Sequence, residues 1–182
     1  MRQVLIRAWL GLVLAAGTCG LAGAGELAPR YEAMGEMTLA MDGQEQALVI
    51  PFDKEKGRAY AEQKMLMASF LTVNMVGRGV GEDGKPGRPM LQVTLQKRGG
   101  SFSFISAELF DGRGFDEPMV MGEDGAPGTL VAVRFEGDRI EAEIEGSFLR
   151  LTGYSKGEPV AAEGAEPVAA RIRAWADLPP LK

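Results

Sequence analysis

The segment Thr129–Leu151 reads TLVAVRFEGDRIEAEIEGSFLRL and does most to decide the fold. Apolar side chains alternate through its first half at Val131, Val133 and Phe135, Gly137 interrupts the pattern, and a second alternating run follows. A period of two places successive side chains on opposite faces of a strand. Gly-Asp between two such runs is typical of a tight turn. The segment therefore predicts an antiparallel hairpin whose alternate apolar side chains face a core.

The rest of the chain repeats this pattern in short runs. They lie at residues 37–40, 47–52, 71–75, 90–96, 101–110, 148–151 and 168–175. The alternation within 101–110 changes phase near Ile105, which predicts a bulge. Residues 53–67 differ, because their charged residues and helix formers allow a helix of one or two turns, which Gly57 weakens. Eight or nine short strands with almost no helical period predict an all-β fold, either an antiparallel β-sandwich or a small β-barrel.

Residues 1–24 have the pattern of a cleavable signal peptide. A basic start precedes an apolar run at 8–16, and Ala22-Gly23-Ala24 forms an A-x-A cleavage site before Gly25. The apolar run is shorter than the roughly 20 residues that a membrane-spanning helix needs. We therefore expect one β-rich domain over residues 25–182, exported to the periplasm or secreted by a bacterium, and no transmembrane segment after cleavage.

Cleavage also changes the chemistry that the chain can offer. Cys19 and two arginines are lost, so the remaining 158 residues contain no Cys and no His, and the formal charge changes from −5 to −7. Cys19 lacks the large aliphatic residue and the small residue that precede a lipidated cysteine, so we do not expect a lipoprotein. The acidic balance, with a sequence pI near 5.0, disfavours nucleic acid as a partner.

The residue inventory argues against an enzyme. His is the most common general base and a common metal ligand, and none is present. No phosphate-binding loop, dinucleotide motif or G-x-S-x-G sequence occurs. Ser155 and Lys156 are neighbours, but adjacent residues of an extended chain point in opposite directions. A carboxylate pair stays open, because the sequence does not show which acids converge. We expect a non-catalytic protein without a cofactor.

Two loops of related sequence supply the candidate binding acids. The first acidic loop, residues 81–87, reads GEDGKPG, and the second acidic loop, residues 122–128, reads GEDGAPG. Their carboxylates belong to Glu82, Asp83, Glu123 and Asp124. Carboxylate oxygens suit Ca²⁺, although the alternating Asp pattern of a calcium loop is missing. Gly and Pro at this spacing also suit turns, so we interpret both segments as loops, with calcium binding as an alternative.

Methionine is unusually frequent and gives a second metal alternative. Met65/Met67 and Met119/Met121 are two residues apart, so each pair shares one face of a strand. Two thioethers on one face could bind Cu(I), a soft ion. Methionine is also a common filler of irregular core space, and we expect that role first.

The sequence therefore favours an exported binding or adaptor protein, monomeric, whose partner it does not identify. In one version, the two acidic loops lie at one end of the fold and contact an envelope protein or a glycan. In the other, a barrel interior with Phe102, Phe104, Phe135 and the methionines holds a small apolar or lipid ligand. A calcium or copper site is the remaining alternative.

Overall fold

The structure, a computed structural model, describes residues 25–66 and 69–181. The signal peptide predicted for residues 1–24 lies outside the described residues. Within them the chain is all-β and antiparallel, and the one helical segment is a 3₁₀ turn at Tyr154–Lys156. Among these same residues, no helix has the length and apolar character needed to cross a membrane.

Twelve strands follow one another in this part of the chain. They are β1 (Tyr31–Met41), β2 (Gln44–Asp53), β3 (Arg58–Ala59), β4 (Ala61–Leu66), β5 (Phe70–Val80), β6 (Pro86–Arg98), β7 (Ser101–Phe110), β8 (Met119–Gly122), β9 (Gly128–Glu136), β10 (Arg139–Thr152), β11 (Val160–Ala161) and β12 (Val168–Asp177).

The strands form one sheet in the order β3-β2-β1-β12-β10-β8-β7-β6-β5-β4, with β9 and β11 also paired to β10. Val49 of β2 pairs in addition with Arg78 of β5. The path β2-β1-β12-β10-β8-β7-β6-β5 therefore returns to its first strand, and its inward side chains form one core.

Strands β8 and β9 together act as one interrupted strand along β10. Val120 of β8 pairs with Leu149, and Gly128 of β9 pairs with Gly146. Between them the chain leaves the sheet at Gly122 and returns at Pro127, whose carbonyl accepts the Ser147 N–H at 3.0 Å. The second acidic loop is thus an excursion from the middle of a strand.

The core is filled by apolar side chains from all sides of the sheet. Met37, Leu48, Val93, Ile144 and other inward residues between Met37 and Leu178 are almost fully buried. Burial at about 25 cal/mol per Å² of apolar area is the main stabilising contribution. A chain that starts at Gly25 keeps this core complete.

Several predictions about local structure are confirmed and others are wrong. Ile105 lies in a bulge, since Ser106 pairs with Thr94 and Phe104 with Leu95. The hairpin of β9 and β10 turns at Gly137, which has a φ of 59°. The helix predicted over 53–67 is wrong, because β3 and β4 lie there and β4 pairs with β5.

The predicted facing of β9 needs a correction. Ala132 pairs with Glu143 and Leu130 with Ile144, so Val131 lies in a bulge opposite no residue. Val131 is therefore 52% exposed, and Val133, although paired with buried Ala142, is 36% exposed. The strand count of eight or nine is also too low, because β3, β4, β8 and β11 are absent from it.

Candidate functional site

The two acidic loops share one hydrogen-bond pattern. In the first, Gly84 N–H donates to the Gly81 carbonyl at 2.9 Å and Gly81 N–H to the Lys85 carbonyl at 3.1 Å. In the second, the corresponding bonds join Gly125 to Gly122 at 3.0 Å and Gly122 to Ala126 at 2.7 Å. The repeated sequence therefore reflects repeated turn chemistry.

The structure does not bring the two loops together. The first loop follows Val80, which pairs with Pro86 at the start of β6. The second loop begins at Gly122, which pairs with Ser106 of β7, and Ser106 in turn pairs with Thr94 of β6. Pro86 and Thr94 are eight residues apart on β6, which is about 26 Å of strand. Glu82 and Asp83 thus lie far from Glu123 and Asp124.

Asp83 is engaged within its own loop. It accepts the Lys85 ammonium at 2.7 Å and the Lys85 N–H at 3.1 Å, and both contacts hold the pKa of Asp83 below its usual value. Across residues 25–66 and 69–181, no three Asp or Glu side chains are close enough to one another to hold a metal ion.

The methionine pairs differ in environment. Met119 and Met121 are buried in the core, where the Met121 thioether packs against Gly128 and Gly146. Met65 lies at the end of β4 and is 45% exposed, and Met67 is outside the described residues.

The three predicted interior phenylalanines are only half-buried and pack at the border of the core. Phe102 and Phe135 contact edge to face with ring centroids 5.6 Å apart, and the Lys97 ammonium lies 5.4 and 5.2 Å from the two rings. Phe104 packs against Gly128, where a Cβ atom would lie 2.5 Å from the ring. They fill the space between β7 and β9.

A buried polar cluster, which the sequence did not reveal, lies on the outer face of β7. Glu108 is 6% exposed and accepts hydrogen bonds from Ser106 and Tyr154. Burial raises the pKa of Glu108, and burial with the neighbouring acids raises the pKa of Tyr154 to about 12. Ser155, considered above as a nucleophile, donates instead to Asp116 at 2.6 Å.

The outer face of β1, β12, β10 and β9 is organised in cross-strand rows. One row is Glu36, Trp175, Glu141 and Arg134, and the next is Thr38, Arg173, Glu143 and Ala132. Between these rows lies a groove of about 410 Å³, whose lining also includes the intervening row of Ala142, Ala174 and Val133, with side chains on the inner face.

Charges on this face are largely paired. Arg139 bonds Glu141 at 3.0 Å and covers the Trp175 ring at 4.0 Å, and Arg171 and Arg173 both approach Glu143 at 3.5 Å. Opposite charges on facing strands are stabilising. The groove is therefore lined by charged side chains that are largely paired with one another and by one aromatic side chain, Trp175.

The groove opens at its β9 end onto an unpaired strand edge. Strand β9 pairs with β10 on one side, and within the described part of the chain residues 131–136 pair with nothing on the other. Val131, Ala132 and Val133 are all exposed on this strand. Long exposed apolar edges are rare, since they invite pairing with another chain. This edge and groove form our candidate site, termed the β9 site.

Larger concavities exist elsewhere. A cavity of about 850 Å³ lies between Tyr60, Asn74, Gln92 and the Pro179-Pro180 tail, and one of about 480 Å³ lies between Leu39, Met41 and Arg88. The larger one borders β3 and β4, which among the described residues are each paired on one side only, but the side chains that these strands place at the cavity are mostly polar, namely Arg58, Glu62, Gln63 and Lys64. No known protein family matches the chain, and no curated protein is detectably similar to it.

Proposed function

We propose that the chain is an exported, non-catalytic binding domain built as a closed eight-stranded β-barrel, and that it binds an extended segment of another polypeptide at the β9 site. The observation that carries the proposal is the unpaired outer edge of residues 131–136, with exposed Val131 and Val133. Free N–H and C=O groups of an edge strand bind an added strand through main-chain hydrogen bonds.

The side chains of β9 set the chemistry of the added strand. Val133 continues the inner row of Ala142, whereas Phe102 already contacts Phe135. A residue beside Val133 would therefore extend the apolar row. Arg134 lies on the outer face, bonded to Glu136 at 2.8 Å. The ligand is thus an alternating strand, apolar toward the core side and polar or acidic toward the outer face.

Other versions of the binding function have less support. A carrier needs an interior cavity, whereas the inward side chains are in mutual contact and almost fully buried. A single loop site needs the two acidic loops at one end, and the strand registers separate them. The β9 site needs neither condition.

A peptide library displayed on phage, selected on the chain from Gly25 onward, supplies the test. Selected peptides are synthesised and measured by fluorescence anisotropy. We expect alternating apolar sequences, and loss of binding in Val131→Lys/Val133→Lys, because two buried ammonium groups oppose an added strand. Val160→Lys is the matched control, since Val160 is 60% exposed on β11.

Hydrogen exchange locates the bound peptide. We expect protection of backbone N–H groups within 131–136 on binding. The proposal would be refuted by peptides that bind the double variant with the same affinity as the original chain, or by peptides that leave hydrogen exchange of β9 unchanged.

A further inference from the structure

The adjoining ends of the β4–β5 and β6–β7 hairpins form a second surface that the β9 site does not include. Leu66 pairs with Phe70, and Phe70 pairs with Arg98. Lys64, two residues before Leu66, lies on the same outer face of β4. We call the set Lys64, Leu66, Phe70 and Arg98 the basic apolar tip. Residues 67 and 68 lie outside the described residues and are not part of it.

The tip exposes large apolar side chains where hairpins are normally polar. Leu66 is 42% exposed at the end of β4, and Phe70, its partner on β5, is half-buried on the same face. Neither side chain belongs to the buried core. The last described pair of β4 and β5 therefore presents apolar surface on an outer face, where polar side chains are the rule.

Two cations flank these apolar side chains. Lys64 and Arg98 form no ion pair with a carboxylate in residues 25–66 and 69–181. Arg98 lies 5.1 Å from the centre of the Phe70 ring. Glu62 is the acidic side chain nearest in sequence on β4. In a chain of net charge −5, these unpaired cations make the local charge positive.

We propose that the basic apolar tip docks onto the surface of an anionic phospholipid bilayer. Leu66 and Phe70 enter the boundary between headgroups and acyl chains, and Lys64 and Arg98 contact lipid phosphates. Apolar side chains flanked by Lys and Arg are the combination that binds such an interface. The tip is an end of two hairpins and not a groove, so it suits a deformable surface better than a peptide.

Vesicle flotation of the chain from Gly25 onward tests this directly. We expect co-flotation with phosphatidylcholine vesicles that contain phosphatidylglycerol, weak flotation with phosphatidylcholine alone, and loss of binding in high salt as the charges are screened. Lys64→Gln/Arg98→Gln should lower the vesicle partition coefficient about 25-fold, at roughly five-fold per cation. Arg113→Gln/Lys156→Gln removes the same charge from a distant surface and should leave binding unchanged.

The apolar contribution is tested separately. Leu66→Ser should weaken flotation, whereas Val160→Ser, at another exposed apolar position, should not. Leu66→Trp should show a blue-shifted fluorescence with anionic vesicles, and Val160→Trp should not. The proposal is overturned if the unmodified chain does not float with anionic vesicles, or if the tip variants float with them to the same extent as the unmodified chain. Circular dichroism of each variant confirms that the sheet is intact.

Discussion

Arg30 holds Asp53 in a two-point contact that ties the start of β1 to the end of β2. Arg30 Nε donates to Asp53 Oδ1 at 2.9 Å and Nη2 donates to Oδ2 at 2.6 Å. Asp53 is almost fully buried and also accepts the backbone N–H groups of Glu55 and Lys56 at 3.2 Å. The Arg30 bonds, with smaller contributions from these N–H groups, hold the pKa of Asp53 below its ordinary value of 3.8.

The first prediction concerns acid stability. Because the pKa of Asp53 is lower in the folded chain, its stabilising contribution is complete above about pH 4 and is lost as pH falls through the folded value. Asp53→Asn should therefore lower Tm at neutral pH, and the difference from the original chain should shrink in acid. Tm measured against pH checks this. Asp42→Asn, in an exposed turn, is the control. A Tm difference between Asp53→Asn and the original chain that stayed constant with pH would contradict the prediction.

The buried Glu108 should show the opposite pH dependence. Its pKa is raised above 4.5 by burial, so the protonated form favours folding and stability from this group declines as pH rises. Glu108→Gln keeps the shape without the charge. We expect the Gln variant to gain stability relative to the original chain between acid and neutral pH. Urea unfolding at several pH values measures the difference in unfolding free energy between the two chains. A Gln variant whose advantage over the original chain grew as the pH was lowered would refute the prediction.

Gly146→Ala should destabilise the fold by about 1–3 kcal/mol, because extra volume in a close-packed region forces backbone shifts. A Cβ at this position would lie 2.4 Å from the Pro127 carbonyl oxygen and 3.0 Å from the Met121 sulfur. Gly112→Ala is the control, since nothing lies within 4 Å of its Cβ. Urea midpoints compare the two variants, and equal midpoints would show that Gly146 is not constrained.

The related acidic loops should respond differently to the same substitution. Asp124 has a φ of 68°, a left-handed conformation that favours glycine, whereas in the first loop the left-handed residue is a glycine, Gly84 at 71°, one position later in the repeat. Asp124→Gly should raise the free energy of unfolding by about 0.5 kcal/mol. Asp83→Gly should lower it, because the Lys85 contacts are lost. Chemical denaturation of both variants checks the signs, and equal signs would contradict the argument.

Phe102 and Phe135 should be energetically coupled. Their rings meet edge to face at 5.6 Å, a geometry worth about 0.5–1.5 kcal/mol beyond burial. A double-mutant cycle with Phe102→Leu and Phe135→Leu should give a coupling energy in this range. Phe70→Leu paired with Phe135→Leu serves as the control cycle. If the loss of unfolding free energy in the double variant equals the sum of the losses in the two single variants, the contact contributes no specific stability.

The sequence predicts the regular strands well because their alternation is local. The β9–β10 hairpin and the bulge at Ile105 both follow from a period of two and its change of phase. The exposure of Val131 could not be predicted, because it depends on a bulge set by the register with β10. Local pattern alone does not show which partner residue a strand skips.

Strand β4 shows a second limit of local reasoning. Its sequence, AEQKML, consists of residues with high helix propensity. It is nevertheless a strand, because Ala61 is buried beside Met75 and each residue through Leu66 pairs with β5. Tertiary pairing outweighs propensity here. The β9 site escaped prediction for a related reason, since an unpaired edge is defined only when all neighbouring strands are known.

The interrupted strand formed by β8 and β9 makes the sheet tolerant of grafted sequence. Each half keeps its own register with β10, so added residues between Glu123 and Asp124 would shift neither half. Loop closure entropy grows slowly with length, and doubling a loop costs about 0.6 kcal/mol. Gly125 has to stay, because a side chain there would meet the Val120 carbonyl at 2.2 Å. A foreign peptide could thus be displayed from the middle of the sheet, well away from the hairpin ends.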